Sequence, residues 1–401
     1  MGRLQRLATA RLSRGQALAA AGLLLLALAV VLLLCRGQSL PGVHDYSVAD
    51  WLINDGGGWV RRGLAGSLIV RWCGATGARP EAVVAWAKAA CFIPLYLLGV
   101  FLLLRPRPAP WALALALLSP AALLFPLQNP DGCGRKEIVA LLWAAALAAR
   151  SARGRPAPGK PGLALALLLL TALHDGLFFF IPAFLLLRLL LFPEERWRPR
   201  DWALVPLPAA AYMAWVTAAG PVSQTQIDAM VGAFHGRPLD WGDSAFQFLA
   251  LGWRQGLAMT RAACHARTLG AAALGAALGA LPAGLWLGLD PEGRQRLGRL
   301  WARPSARILA PAAALAQLAL MALSVDWGRW LMVDLTLLAL GCLGALRRAE
   351  PAGPARPPLP WAAVVPLSLL FLAGWRFYFT NLGGFGWPHW DGALWRALGL
   401  R

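Results

Sequence analysis

The chain has 401 residues, 58% of them hydrophobic and only 14% charged, with a mean hydropathy of +0.56. A soluble domain carries about 25% charged and 45–50% apolar residues, so a water-facing globule, a disordered chain and a small disulfide scaffold are excluded. What remains is a multi-span integral membrane protein, in which the placement of the +19 net charge matters more than its sum and no nucleic-acid partner is implied.

Apolar runs of about 17–25 residues cross a bilayer as helices. Such runs lie at 17–35, 82–104, 109–127, 202–220, 268–289, 307–323, 330–346 and 359–377, with shorter ones at 136–150, 161–173 and 176–192. The last two read as two spans, or as one span broken near His174 and Asp175. The first is too long and too rich in Leu for a cleaved signal and is expected to be retained. The pattern predicts an all-α helix bundle of eleven spans, or ten, in one membrane domain over 1–401. With the N-terminus inside and eleven crossings, inner segments hold 21 basic residues against six acids, and outer segments 14 against 12. That asymmetry obeys the positive-inside rule and predicts an N-in, C-out topology.

The outer face then receives 12 of the 19 acids and every histidine, while inner connections such as 151–162 and 347–358 are plain basic turns. Ionisable residues gathered at the mouth of a bundle mark a site or a pathway. The first outer loop, 36–81, holds His44, Asp45, Asp50, Asp55 and the Arg61-Arg62 pair, and 60–72 is expected to form an interfacial helix anchored by Trp59 and Trp72. This loop is either a membrane-surface element or a source of a carboxylate base beside two phosphate-holding arginines. In QNPDGCGRKE at 128–137, Arg135, Lys136 and Glu137 open a helix. The glutamate suits the helix dipole there, whereas adjacent cations suit an anion better than they suit the helix.

His174 and Asp175 interrupt apolar sequence at 171–182. They form a cheap outer tip or, at membrane depth, a costly functional pair. The long outer loop 221–267 carries Asp228, His235, Asp240, Asp243 and Arg254 and a surface helix or lid over 236–253, without HExxH or CxxC metal spacing. In SVDWGRWLMVD at 324–334, Asp326 and Arg329 stand three apart, so they pair with each other or Arg329 reaches a phosphate. The Gly- and Trp-rich C-terminal tail, 378–401, fits an interfacial belt or a sugar-stacking surface. No Walker A motif, internal repeat or matching pair of broken spans occurs. The six cysteines lack motif spacing, and one disulfide is open among Cys73, Cys133 and Cys264.

This arrangement resembles the GT-C superfamily of polyprenyl-phosphate-dependent membrane glycosyltransferases, whose first outer loop carries interfacial helices and a catalytic acid. Asp45, or else Asp50, matches that acid; the adjacent acidic pair and the C-terminal soluble domain of many members are missing. VRRGL at 60–64, GRKE at 134–137 and DWGRW at 326–330 also look like segments of bacterial polytopic proteins of no assigned activity. The resemblance implies transfer of a sugar from polyprenyl phosphate to an acceptor on the outer face of a bacterial inner membrane, in cell-envelope glycan or glycolipid synthesis. In that scheme Asp45 is the base, with Asp50 second. Arg61, Arg62, Arg135, Lys136 and Arg329 hold the phosphate, and His44, His174, Asp175 and Asp326 support them. The cofactor is unassigned, a divalent metal staying open. Two alternatives are a carrier or flippase for a lipid-linked saccharide and a non-enzymatic assembly protein. A carrier needs polar residues through the inner half of the spans, where Asp334 and Lys88 are the main ones. Convergence of 45–62, 131–137, 174–175 and 326–329 on one cavity would mark a site.

Overall fold

The computed structural model of the protein describes residues 14–40, 46–104, 123–128, 134–234 and 245–346, apart from positions 265, 290 and 325. Among the described residues every regular element is helical and no strand occurs. Long Leu- and Ala-rich runs dictate this, because in lipid a helix satisfies its own backbone polar groups and a single open strand does not.

In chain order the helices are α1 (Arg14–Gln38), α2 (Tyr46–Leu52), α3 (Gly63–Thr76), α4 (Pro80–Leu103) and α5 (Glu137–Ala152). Then come α6 (Lys160–Leu173), α7 (Ile181–Leu191), α8 (Pro199–Leu204), α9 (Leu207–Ala219) and α10 (Gln224–Gly232). The set closes with α11 (Trp253–Ala263), α12 (Ala266–Leu289), α13 (Pro291–Trp301), α14 (Pro304–Leu323) and α15 (Trp327–Ala345). Local chemistry sets several boundaries. Proline occupies the first turn of α4, α8 and α14, where its missing N–H costs nothing. Ser223 and Gln226 form a capping box at the start of α10.

Among the described residues, five stretches are long and apolar enough to cross a membrane: Ala17–Gln38, Pro80–Leu103, Pro199–Ala219, Pro304–Leu323 and Trp327–Ala345. They agree with a bilayer-embedded protein. The expected runs at 136–150, 161–173 and 176–192 fall on helices of 16, 14 and 11 residues, the last after a 3-10 segment at Asp175–Phe180. The runs at 109–127 (mostly) and 359–377, and the tail 378–401, lie outside the described residues.

The two pieces around His174 form a hairpin, not one broken helix. Arg188, near the end of α7, donates to the Pro158 carbonyl just before α6, and Lys160 at the start of α6 donates to the Arg196 carbonyl (2.9 Å). The chain therefore runs along α6, turns at His174-Asp175 and returns along α7 to the same end of the bundle.

At the centre stands α15, packed by α5, α7 and α12 and buried along nearly its whole length. α4 lies between α1 and α5, α6 packs on α9, and α11 packs on α14. Three expectations need correction. The first-loop helix, expected over 60–72, begins at Gly63, so Arg61 and Arg62 precede it and turn inward to Asp175. The surface helix of the long loop begins at Trp253, after a 3-10 turn at Gln247–Ala250; residues 235–244 are outside the described set. Cys73 and Cys264 form no disulfide, and Cys133 lies outside the described residues.

Candidate functional site

Four polar segments far apart in sequence meet at one end of the bundle: α2 with the turn before α3, the turn before α5, the α6–α7 tip, and the start of α15. Their backbones are shaped for it. Arg62 has φ 66°, the single positive φ outside glycine among the described residues, in a region that costs a side-chain-bearing residue about 1–2 kcal/mol. The kink carries the Arg62 guanidinium to Asp175, with Nε 2.6 Å from Oδ1, and leaves the Arg62 carbonyl to accept from Lys136 Nζ at 2.7 Å. Gly134 also has positive φ (75°), and its carbonyl accepts from Trp51 Nε1 at 2.6 Å. A Cβ there would sit 3.0 Å from Lys88 Cδ. Lys88 is itself buried and donates to Ser47 Oγ (2.7 Å) and Gln38 Oε1 (3.2 Å). It braces the first loop from below and is no rung of a polar path.

The ion pairs form a continuous chain. Asp326 Oδ2 is 3.0 Å from Arg329 and 3.4 Å from Arg135. Arg329 Nη1 is 3.0 Å from Glu137 Oε1, which in turn lies 3.4 Å from His174 Nε2. Asp50 Oδ1 stands 3.8 Å from Arg135 and 3.9 Å from Arg62, and neither of its oxygens accepts a hydrogen bond from the described residues. Arg61 pairs with Asp175 at 3.5 Å while its Nη2 donates to the carbonyls of Phe248 (2.9 Å) and Leu251 (3.1 Å). It straps the long outer loop to the site. Arg135 lies over the Tyr46 ring (4.6 Å) and Arg329 over the Trp330 ring (4.0 Å), arrangements that hold a guanidinium in place.

A cavity of about 370 Å³ opens beside this chain. Arg61, Arg62, Arg135, Asp175, Asp326 and Arg329 form its polar wall; Phe179, Met213, Val216, Met259, Leu320 and Leu323 stand on its apolar side. Arg135 and Arg329 are both buried and turned into the bundle. Asp50, Lys136, Glu137 and His174 lie behind the wall, outside the cavity lining. Asp45 and His44 fall outside the described residues, but Tyr46, the next residue, lines the cavity. Among the described residues no cluster of His, Cys, Asp or Glu has the arrangement of a metal site.

Charge placement sets the protonation states. Burial pushes the Asp50 carboxyl up, but Lys136, Arg135 and Arg62 outweigh it and hold the group below the usual carboxylate range. For Asp175 burial is likewise outweighed, by Arg62 and Arg61. His174 is driven well below its ordinary value, first by burial and then by Arg62, Arg329, Arg135 and Lys136. It is therefore neutral. Its Nδ1 accepts from the Gly176 N–H at 3.1 Å, so the proton sits on Nε2 and faces Glu137. A histidine so committed positions Glu137 and has no nitrogen to spare as a base.

A pH dependence follows. With its folded pKa depressed, His174 binds more protons when unfolded, so its contribution to stability is complete above about pH 6.5 and is lost as pH falls below that. Asp50 and Asp175, held low, stay ionised across the same window. The melting temperature of the purified protein should fall between pH 7.5 and 5.5, and His174→Asn, whose Oδ1 can replace the Nδ1 acceptor, should flatten that fall. An unchanged slope in the variant would remove His174 from the account.

Sequence reasoning passed over Glu137, Tyr46 and Trp330 as site members. Glu137 looked sufficient as a helix-start residue, and aromatic residues next to arginines carry no signal until their rings are placed. Comparison with protein-family models, curated proteins and solved structures finds no match. Fold and site together define an all-helical, membrane-compatible protein with a half-polar, half-apolar cavity backed by a buried ion-pair network.

Proposed function

We propose that the protein is a membrane glycosyltransferase of GT-C-like organisation, moving a sugar from a polyprenyl-phosphate donor to an acceptor on the outer face of a bacterial inner membrane. Its topology is N-in, C-out with about eleven spans, and the cavity faces outward. The observation that carries this is the convergence of the four polar segments on a cavity with arginines on one side and apolar side chains on the other. Among the described residues around it, five cations (Arg61, Arg62, Arg135, Lys136, Arg329) stand against four carboxylates (Asp50, Glu137, Asp175, Asp326), one positive charge in excess before the base Asp45 is added. A buried charge network contributes little to stability for its cost, and a net-positive one beside an apolar wall suits a phosphate joined to a lipid. Depth agrees: α6 has 14 residues, about 21 Å at 1.5 Å each, short of a hydrocarbon core of about 30 Å. Its tip is therefore recessed from the outer surface.

The chemistry needs two things. The acceptor hydroxyl oxygen attacks the anomeric carbon while the bond from that carbon to the phosphate oxygen breaks and its electron pair leaves with the polyprenyl phosphate. A carboxylate takes the hydroxyl proton, and the guanidiniums of Arg62, Arg135 and Arg329 stabilise the charge gained by the departing phosphate. Asp50 is unsuited as the base, since it is fully buried behind the wall and held in its weakly basic, ionised form. Asp45, beside Tyr46, keeps that role. Asp326 is the second candidate, because it lines the cavity and makes both ion pairs through Oδ2.

Purified protein should be stabilised by polyprenyl phosphate and not by the matching polyprenol; about 100 times Kd adds ~2.7 kcal/mol. It should then transfer sugar from a polyprenyl-phosphate-linked hexose, with Asp45→Asn or Asp326→Asn abolishing turnover but not binding. Equal stabilisation by the alcohol would remove the phosphate site. Binding with flipping of the intact donor, and no release of polyprenyl phosphate, would identify a carrier.

A further inference from the structure

The end of the bundle opposite the cavity carries a second charged feature, built quite differently. α14 starts at Pro304 and reaches the cavity at Leu320 and Leu323. Its 20 residues span about 30 Å, one hydrocarbon thickness. Immediately before it lies α13, PEGRQRLGRLW, joining the ends of two long helices, α12 and α14. Packing fixes α13 against the bundle. A Cβ on Gly293 would fall 2.1 Å from the Trp286 carbonyl oxygen, so the helix rests directly on the α12 backbone. Leu300, Arg296, Arg299 and Arg303 share a small groove with Leu189, Leu190 and Pro193 at the returning end of α7.

The rim of that groove and the surface beside it are cationic. Arg294, Arg299 and Arg307 are exposed and Arg303 half-buried, and among the described residues no carboxylate pairs with any of these four. Trp301 is 42% exposed beside them. At the cavity every arginine on the wall meets a carboxylate; among the described residues Arg294, Arg299, Arg303 and Arg307 do not. An amphipathic helix with apolar residues inward, arginines outward and a tryptophan at its end lies in a membrane interface. An anionic phosphodiester headgroup answers such cations through charge, which Arg and Lys supply alike.

We propose that α13 and the start of α14 form an in-plane platform that binds the headgroups of anionic phospholipids in the leaflet opposite the cavity. Charge complementarity selects that occupant, since a zwitterionic headgroup leaves the arginines without net compensation. Each arginine near an anionic surface contributes about fivefold to binding. The platform thereby anchors the inner ends of α12 and α14 at a fixed depth, with the cavity a membrane thickness away.

The test uses the full-length protein in detergent with phosphatidylglycerol or phosphatidylcholine, reading retained lipid by native mass spectrometry. The unaltered protein should retain phosphatidylglycerol at least tenfold better. Arg294→Gln/Arg299→Gln/Arg303→Gln should abolish the preference, with an unchanged melting temperature in lipid-free detergent. The corresponding Lys triple variant should keep most of it, which guards against a folding defect in the Gln protein. Equal retention of both lipids, or an undiminished preference in the Gln variant, overturns the proposal. Displacement of phosphatidylglycerol by inorganic phosphate at constant ionic strength would also overturn it, in favour of a small-anion site.

Discussion

Asp50→Asn should lower stability by about 3–5 kcal/mol, the usual effect of removing one partner from a buried ion pair. The group is fully buried, and it is the shared counter-charge for Arg62 and Arg135 at 3.9 and 3.8 Å. Its carboxylate stays ionised because Lys136, Arg135 and Arg62 surround it. Neutralising it leaves three cations packed together in a low-dielectric interior. The expected result is poor yield and a melting temperature lowered by well over 5 °C. A second change shows that the defect is electrostatic. Lys136→Met removes one of the surplus charges at similar volume, so Asp50→Asn/Lys136→Met should recover much of the loss in a double-mutant cycle. The recovered protein also separates structure from chemistry: if it still transfers sugar, Asp50 is not the base. A single variant as stable as the parent would mean that the network does not depend on Asp50.

Arg329→Lys should cut activity roughly 10- to 150-fold, the equivalent of about 1.5–3 kcal/mol for a charged hydrogen bond, while the protein still inserts and folds. Arg329 uses two guanidinium nitrogens at once, Nη1 on Glu137 at 3.0 Å and Nη2 on Asp326 at 3.0 Å, with its plane over Trp330. An ammonium keeps the charge but cannot bridge both carboxylates or lie over the ring in the same way. Asp326 would then swing free of its place on the cavity wall, and Glu137 would lose its fixed link to His174. Arg307→Lys is the control, because Arg307 is exposed and bonds only the Trp301 carbonyl within the described residues (2.7 Å). Its activity should be unchanged. Full activity in Arg329→Lys would reduce Arg329 to a snorkelling cation at a helix end.

By itself the sequence determined the class of the protein and most of its helices, because both follow from local composition. A run such as 330–346 or 82–104 must form a helix whichever neighbours it finds, since nothing else satisfies its backbone in lipid. Isolated ionisable residues in such runs were equally conspicuous, as their cost does not depend on the partner. So Arg135, His174, Asp175, Asp326 and Arg329 could be named from sequence, and so could the His174 break. Their pairing could not. Whether Arg61 holds a ligand or straps a loop depends on carbonyls at Phe248 and Leu251, 187 and 190 residues away. Whether Asp50 is a base or a counter-ion depends on burial behind Arg135 and Arg62, and Lys88, a candidate path residue, and Lys136, a candidate phosphate holder, are seen as braces only when Ser47 and the Arg62 carbonyl are placed. Only the tertiary structure decided these roles, because a charge acquires its function from what lies within about 4 Å of it, and in a helical bundle those neighbours come from segments that share no local pattern.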